Sequence, residues 1–386
     1  MSDTLHDSLG LTLNSRAMFV CPKLDAGGAE RHWATLLPEL ASRGMTIRLI
    51  AIEGTGRALE QLRQEQIPVR ELGAKGLSAL SRIPALLTEA RHHPDVVVTW
   101  SFNAHALGAI FGLLTRTPQV VNWHRQPDLP MTRRQRWSIR LAARSGAGVI
   151  AVTQAQLPEL YALGFPKERA QVVPNGVEGR TTASKAELRR TLGIPANAFV
   201  AVLVARLRPE KRIEDFIEAM GLLRETVPDA VGVVVGDGPE DGALRAFAEA
   251  RQAPVGFAGY QEDPTRHMVA ADVVCLTSAF EALPMSLVEA ASVGRPIVAT
   301  NVGGIDEIVL DGETGRLIPT HRPAALAACL EELAGNPAQR AAMGARAQQL
   351  WSDEFSMESM VDRYGELLST VSGPPTRWPN ADTTTT

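Results

Sequence analysis

Apolar positions along this chain keep two rhythms in turn. Short runs in which nearly every position is apolar, at 17–21, 45–52, 67–72, 95–99, Gln119–Trp123 and 148–152, read as buried strands. Between them apolar residues recur every three or four positions over 29–42, 57–65, 78–91, 103–115 and Arg133–Arg144, the spacing of helices with one buried face. Strand then helix, repeated, predicts a parallel sheet with helices on both faces. The rhythm breaks at Val172-Val173-Pro174-Asn175-Gly176-Val177 and through the polar stretch 180–184. It restarts with strands at 199–205, Ala230–Val235, 255–259, 273–276 and 296–300, and helices at 213–225, 239–251, 323–334, 337–350 and about 356–368. The expected organisation is a loose tail (1–15), a first α/β domain (16–174), a second (175–355), a last helix (356–370) and a Pro/Thr-rich, disordered end (371–386), with no internal repeat.

Composition changes this picture in a few respects. A length of 386 residues leaves room for two domains, each with its own core. Hydrophobic residues make up 45% of the chain but aromatic ones only 5%, so Ala, Leu and Val must fill the cores, as suits helices laid on a parallel sheet. The net charge of -4 is uneven: residues 1–174 hold 20 Lys+Arg against 14 Asp+Glu, and the rest is acidic. A basic first half suits an anionic acceptor or an acidic membrane surface, and equally an ordinary solvated face. Three cysteines, Cys21, Cys275 and Cys329, with no Cys-x-x-Cys, argue against a disulfide framework and for a reducing compartment. The first residues lack the features of a signal peptide, and the longest apolar run, 106–114, is too short to span a bilayer. A cytoplasmic chain with no nucleic-acid partner is expected.

The stretch that carries most chemistry follows the apolar run 273–276: Thr277-Ser278-Ala279-Phe280-Glu281-Ala282-Leu283-Pro284-Met285-Ser286-Leu287-Val288-Glu289, closed by Gly294. Pro284 suits the first turn of a helix, where its missing N–H would lack a partner anyway, and Gly294 suits a left-handed stop. Strand, loop and helix are therefore predicted in that order. The helix start, around Leu283, Pro284, Met285 and Ser286, offers unpaired N–H groups and a positive dipole end, which hold phosphate. Glu281 precedes that cradle and Glu289 lies more than a turn inside the helix. Each carboxylate can accept two hydrogen bonds from a vicinal diol, so a ligand with phosphates between two sugars, a nucleotide-sugar, satisfies the whole stretch.

Glu281 and Glu289, seven residues between them, and the downstream Arg295-Pro296-Ile297-Val298-Ala299-Thr300-Asn301-Val302-Gly303-Gly304-Ile305-Asp306-Glu307 resemble the signature of the large retaining GT-B glycosyltransferase family, the family 4 type. Ala282 and Pro284 depart from it, since many members carry glycines there. The resemblance covers most of 16–370 and implies two Rossmann-like doubly wound α/β domains facing a cleft. It further implies that Glu281 meets hydroxyls of the transferred sugar, Glu289 holds the ribose, and the intervening amides hold the diphosphate. Arg206 and Lys211, in Arg206-Leu207-Arg208-Pro209-Glu210-Lys211-Arg212 after a strand, resemble the family's pair of cations on the donor diphosphate. Fixed cations stabilise a leaving diphosphate without reorganising. Gly27 and Gly28 look like the family's glycine loop after the first strand, and Gly238, in Gly236-Asp237-Gly238-Pro239-Glu240, like its loop near the nucleobase. His124 occupies the place where similar enzymes put a histidine beside the anomeric centre and acceptor; His105 competes with it.

No Asp-x-Asp and no zinc pattern occurs, so no metal or other cofactor is expected. The basic helix with Arg133, Arg134, Arg136 and Arg140 could touch a membrane, as in similar enzymes with lipid-linked acceptors, or could be one solvated face. The expected activity is transfer of a sugar from a nucleotide-sugar to the hydroxyl of a glycan or lipid-linked acceptor, with retention, in cell-surface glycan or glycolipid synthesis. A same-fold sugar phosphorylase, a nucleotide-sugar epimerase and a non-catalytic nucleotide- or glycan-binding protein are the alternatives.

Overall fold

The apolar runs become strands because the middle of a parallel sheet is buried on both faces. A computed structural model describes residues 15–22, 28–53, 56–73, 79–125, 130–179 and 184–372. The expected tails therefore lie outside the described residues, apart from Ser15, Val371 and Ser372, as does the linker 180–183.

The chain forms two compact units. The first gathers the described residues within Met1–Val152, Gln156–Val173 and Met360–Thr386; the second gathers Thr153–Ala155 and Pro174–Ser359. In the first, β1 (Arg16–Cys21), β2 (Thr46–Ala51), β3 (Val69–Glu71), β4 (Val96–Trp100), β5 (Gln119–Trp123), β6 (Gly148–Ala151) and β7 (Ala170–Val172) form one parallel sheet in the order β3-β2-β1-β4-β5-β6-β7. In the second, β8 (Phe199–Val204), β9 (Ala230–Val235), β10 (Val255–Gly259), β11 (Val273–Leu276), β12 (Ile297–Thr300) and β13 (Gly315–Ile318) follow the order β10-β9-β8-β11-β12-β13, again parallel. Both sheets reverse direction beside their first strand, and in doubly wound folds ligands bind at the carboxyl ends of the strands near that reversal.

Small aliphatic residues fill the cores. Val96, Val97, Val98, Ala104 and Leu107 are fully shielded in the first unit, as are Val200, Ala201, Val202, Leu203 and Phe216 in the second. Each fully buried Val, Leu or Phe contributes about 1.5–3 kcal/mol.

Several expectations needed correction. The helix expected over 78–91 is broken into 3-10 turns at Ala79–Arg82 and Thr88–His92 around a short α segment, Ile83–Leu87. Pro84, which lacks an N–H and opens a helix more readily than it continues one, interrupts the ladder there. Helices Leu157–Leu163, Lys185–Thr191 and Thr265–Ala270 and the strands β7 and β13 add to the expected set. The last helix, Met357–Val371, is counted with the first unit from Met360 onward. Its fully buried Tyr364 accepts a hydrogen bond from Asn122 Nδ2 at 2.5 Å.

Candidate active site

Four loops leave the carboxyl ends of β8, β9, β11 and β12 in the second unit, and backbone groups tie them together. Ala279 N donates to Glu210 O at 2.8 Å, and Thr277 Oγ1 to Lys211 O at 3.0 Å, joining the loop after β11 to the loop after β8. Thr300 Oγ1 donates to Ser278 O at 2.6 Å and Gly304 N to Ala282 O at 3.0 Å, joining it also to the loop after β12. Leu207 N donates to Asp237 O at 2.7 Å, which brings in the loop after β9.

Close approach of these loops explains their glycines. A Cβ at Gly238 would lie 2.2 Å from Leu207 O, so the residue serves the packing of its loop on the segment that carries Arg206. Gly303 has φ +59, and a Cβ there would lie 1.9 Å from Glu281 O, so only glycine lets the loop after β12 lie against the Glu281 backbone.

On this frame the structure brings Lys211 and Glu281 together. Lys211 Nζ donates to Glu281 Oε1 at 2.5 Å, and Ser278 Oγ donates to the same oxygen at 2.7 Å. Glu281 is 5% exposed, and the lysine side chain is itself largely covered. A carboxylate so far out of water requires such partners, and charge-assisted bonds are the strong ones. Arg206, five residues from Lys211, is exposed and has no partner among the described residues, which leaves its five donors available.

The helix after the Glu281 loop is Met285–Ser292. Pro284 is its N-cap rather than its first residue: its carbonyl accepts from Leu287 N at 3.0 Å and Val288 N at 3.4 Å. The N–H groups of Met285 and Ser286 have no acceptor among the described residues, while Leu283 and Pro284 are buried beneath them. Glu289 lies half-buried in this helix, and Gly294 ends it with φ +66. One cation pair, one carboxylate pair and free amides thus share the carboxyl end of one sheet, an arrangement able to neutralise a diphosphate and grip hydroxyls on either side.

The remaining expected residues belong to the first unit. Gly28 opens the helix Gly28–Ser42, and Gly27 lies outside the described residues. His124 follows β5, with its ring 5.2 Å from that of His32. Burial pushes the His124 imidazole down to about 4, so it is neutral at neutral pH, and its Nε2 has no partner among the described residues. His105 is a different kind of residue: 2% exposed, it is held by Thr99 Oγ1 at 3.0 Å from its Nδ1, while Gln119 Nε2 donates to both Thr99 Oγ1 and His105 O. Burial lowers it to about 3.

Sequence reasoning did not assign roles to Ser278, Thr277 or Thr300. A hydroxyl next to a glutamate is common, and only the fold shows which carbonyl it reaches. Gly303-Gly304 was visible after a strand, but its target, the Glu281 backbone, was not. Among the described residues no cluster of three or more His, Cys, Asp or Glu could hold a metal ion, and no helix is long and apolar enough to cross a membrane.

Comparison with known proteins places the chain in a family. The family model Glycosyltransferase Family 4 matches residues 26–179, and Glycosyl transferases group 1 matches residues 184–350. The lipopolysaccharide core biosynthesis glycosyltransferase LpsE of Rhizobium meliloti is 27% identical over 356 residues, 89% of this chain and 96% of that protein. Alpha-D-kanosaminyltransferase of Streptomyces kanamyceticus is 28% identical over 247 residues, 61% of this chain and 64% of that protein, just under two thirds of its length. Among solved structures, HepE of Anabaena in complex with UDP has a TM-score of 0.82 at 25% identity, over 92% of this chain and 99% of that one. Its complex with UDP-glucose gives 0.79 at 27% identity, with the same coverage. With two parallel α/β units matched in turn by the two family models, the chain belongs to the GT-B glycosyltransferases of the family 4 type.

Proposed function

We propose that this glycosyltransferase moves a sugar from a nucleotide-sugar donor to an acceptor hydroxyl with retention of configuration, in the synthesis of a cell-surface glycan or glycolipid. The observation that carries the reading is the Lys211–Glu281 pair beside exposed Arg206 and the free amides of Met285 and Ser286. In this reading Glu289 holds the ribose, Arg206 and Lys211 take the charge that grows on the departing diphosphate, and Glu281 orients both Lys211 and the transferred sugar. Gly238 shapes the loop on the nucleobase side, Gly28 is assigned to the sugar, and His124 serves the acceptor as a neutral hydrogen-bonding group.

Retention is assigned to front-face attack. The acceptor oxygen bonds to the anomeric carbon on the face from which the diphosphate leaves. The bond to the diphosphate breaks with its electron pair going to the phosphate oxygen, which then receives the acceptor proton. Protein cations and amides would do here what a metal does elsewhere, so EDTA should leave the rate unchanged. That HepE was solved with UDP and UDP-glucose makes uridine donors the first to try.

The test is a thermal-shift screen of nucleotide-sugars followed by donor turnover. A donor at a hundred times its dissociation constant should stabilise by about 2.7 kcal/mol. A panel without any shift would defeat the reading, and a product anomer opposite to the donor's would defeat retention. Peripheral membrane contact through Arg133, Arg134, Arg136 and Arg140, on the cytoplasmic face, is part of the same proposal for a lipid-linked acceptor. Background co-sedimentation with anionic vesicles would remove it.

A further inference from the structure

The helices Phe102–Thr115 and Arg133–Arg144 begin at the carboxyl end of the first sheet, one directly after β4 and the other a few residues beyond His124. Between their first turns lies a cavity of about 300 Å³, bordered by Phe102, Asn103, Arg134, Trp137 and Ser138. That is the lower end of the range for small-molecule pockets. It stands at the end of the sheet where ligands of parallel α/β folds bind.

Three observations give the cavity a chemistry. Trp137 is 53% exposed, although an indole left in water forgoes one of the largest burial gains a side chain can make. Its helix carries Arg133, Arg134, Arg136, Arg140 and Arg144 with no acidic residue, and none of the five has an ion-pair partner among the described residues. Arg134 is the one of them that borders the cavity. The walls are also fixed in advance. Thr132 and Gln135 close a capping box, with Gln135 N to Thr132 Oγ1 at 3.2 Å and Thr132 N to Gln135 Oε1 at 2.8 Å. Ser138 Oγ donates to Phe102 O and staples the two helix starts together.

We propose that this cavity is a saccharide subsite for an anionic acceptor. The apolar face of a sugar ring stacks on Trp137, the exposed Asn103 amide meets ring hydroxyls, and Arg134 pairs with a carboxylate or phosphate on the sugar. An aromatic face with a polar handle matches a pyranose, which is apolar across its ring and polar at its edge. The planar fork of arginine matches the geometry of carboxylate and phosphate oxygens. The inference rests on the glycosyltransferase reading and adds to it a class of acceptor: a uronic-acid or phosphorylated sugar rather than a neutral one.

The experiment uses the full chain and three probes, methyl glucuronide, glucose 6-phosphate and methyl glucoside, followed by saturation-transfer difference NMR and tryptophan emission. Variants Trp137→Ala, Arg134→Gln and Arg134→Lys are compared, with the UDP thermal shift recorded for each. The charged sugars should bind the wild type more tightly than methyl glucoside. Trp137→Ala should weaken all three by about ten-fold, and Arg134→Gln should bring the charged sugars down to the neutral one. Arg134→Lys should recover part of the difference, and the UDP shift should persist throughout. Equal binding by wild type and both removal variants, or no sugar signal at all, overturns the proposal. So does a sugar signal that phosphatidylglycerol vesicles abolish while blue-shifting Trp137 emission, since Trp137 and Arg134 would then serve the lipid surface; vesicle binding that leaves the sugar signal in place is the membrane contact of the other arginines and supports both readings. Sugar signals without any UDP shift would support the subsite and count against the donor assignment instead.

Discussion

Replacing Lys211 with methionine tests the donor site most directly, because it keeps most of the unbranched stem and removes the ammonium with its charge and its hydrogen bond to Glu281. Glu281 Oε1 then keeps one partner, the Ser278 hydroxyl at 2.7 Å, while the carboxylate stays 5% exposed. Stripping one member from a buried ion pair costs about 3–5 kcal/mol. The lysine side chain retains 18% exposure, so water takes up some of the loss and the cost falls below that range, to ~2–3 kcal/mol. For a unit of this size that lowers Tm by roughly 4–12 °C. Converting Glu281 to glutamine in the same background removes the stranded charge, and the double variant Lys211→Met/Glu281→Gln should regain about half of the lost stability, a coupling of ~1–2 kcal/mol. Turnover should behave differently. Removing a cation from the leaving diphosphate should lower kcat by about 10²–10³, and the double variant should not recover it. Denaturant midpoints at constant slope and donor turnover at saturation measure the two effects separately. A Lys211→Met protein with unchanged stability, or a double variant with restored turnover, would refute the reasoning.

Three further outcomes follow from the same structure. Arg206→Ala should leave the denaturation midpoint within about 0.5 kcal/mol of wild type, because the side chain is exposed and has no partner among the described residues, yet lower donor turnover by about 10²–10³; parallel losses of both would mean a structural role. Gly303→Ala should destabilise by ~2 kcal/mol or more and weaken donor binding, since it meets both a left-handed φ and the Glu281 carbonyl, whereas Gly242→Ala, on the open side of the helix Asp241–Ala250, should be neutral or stabilising, as read by paired melting curves. His105, held neutral by burial with its pKa down from 6.5 to about 3, binds its proton later in the folded than in the unfolded chain, so its contribution is complete above pH 6.5 and drains away as the pH falls towards 3. Between pH 8 and pH 5 that amounts to about 2 kcal/mol, and His105→Gln should flatten this slope in denaturant titrations.

The parts of the fold that could be read in advance are those where burial is two-sided and the run is long. β5, β9 and β11 stand where their Val-bearing apolar runs placed them, and the amphipathic helix Arg133–Arg144 begins and ends as its pattern implied. Short elements escaped. Leu157–Leu163 and Lys185–Thr191 span two turns each, too few for a period to show, and Thr265–Ala270 sets Arg266 and His267 among its apolar residues. β13 has only Leu317 and Ile318 as apolar members; its Gly315 is there because a Cβ would lie 1.9 Å from Ile297 O. For the donor site, the helix start after a strand pointed to Glu281 and Glu289, and the family resemblance pointed to Arg206 and Lys211. That Lys211 and Glu281 join hands across 70 positions could not be read, because the pairing depends on the β8–β11 adjacency.

The cross-bracing of the four loops in the second unit sets a rule for anyone who would redirect this enzyme to another sugar. Ala279, Thr277, Thr300 and Gly304 each fasten one loop to its neighbour, so exchanging a single loop for a relative's version strands the groups it was bolted to. Chimeras should therefore carry the segments after β8, β9, β11 and β12 together, as one cassette. Gradual tuning is best begun at an outward-facing position such as Arg208, whose side chain takes no part in the fastening.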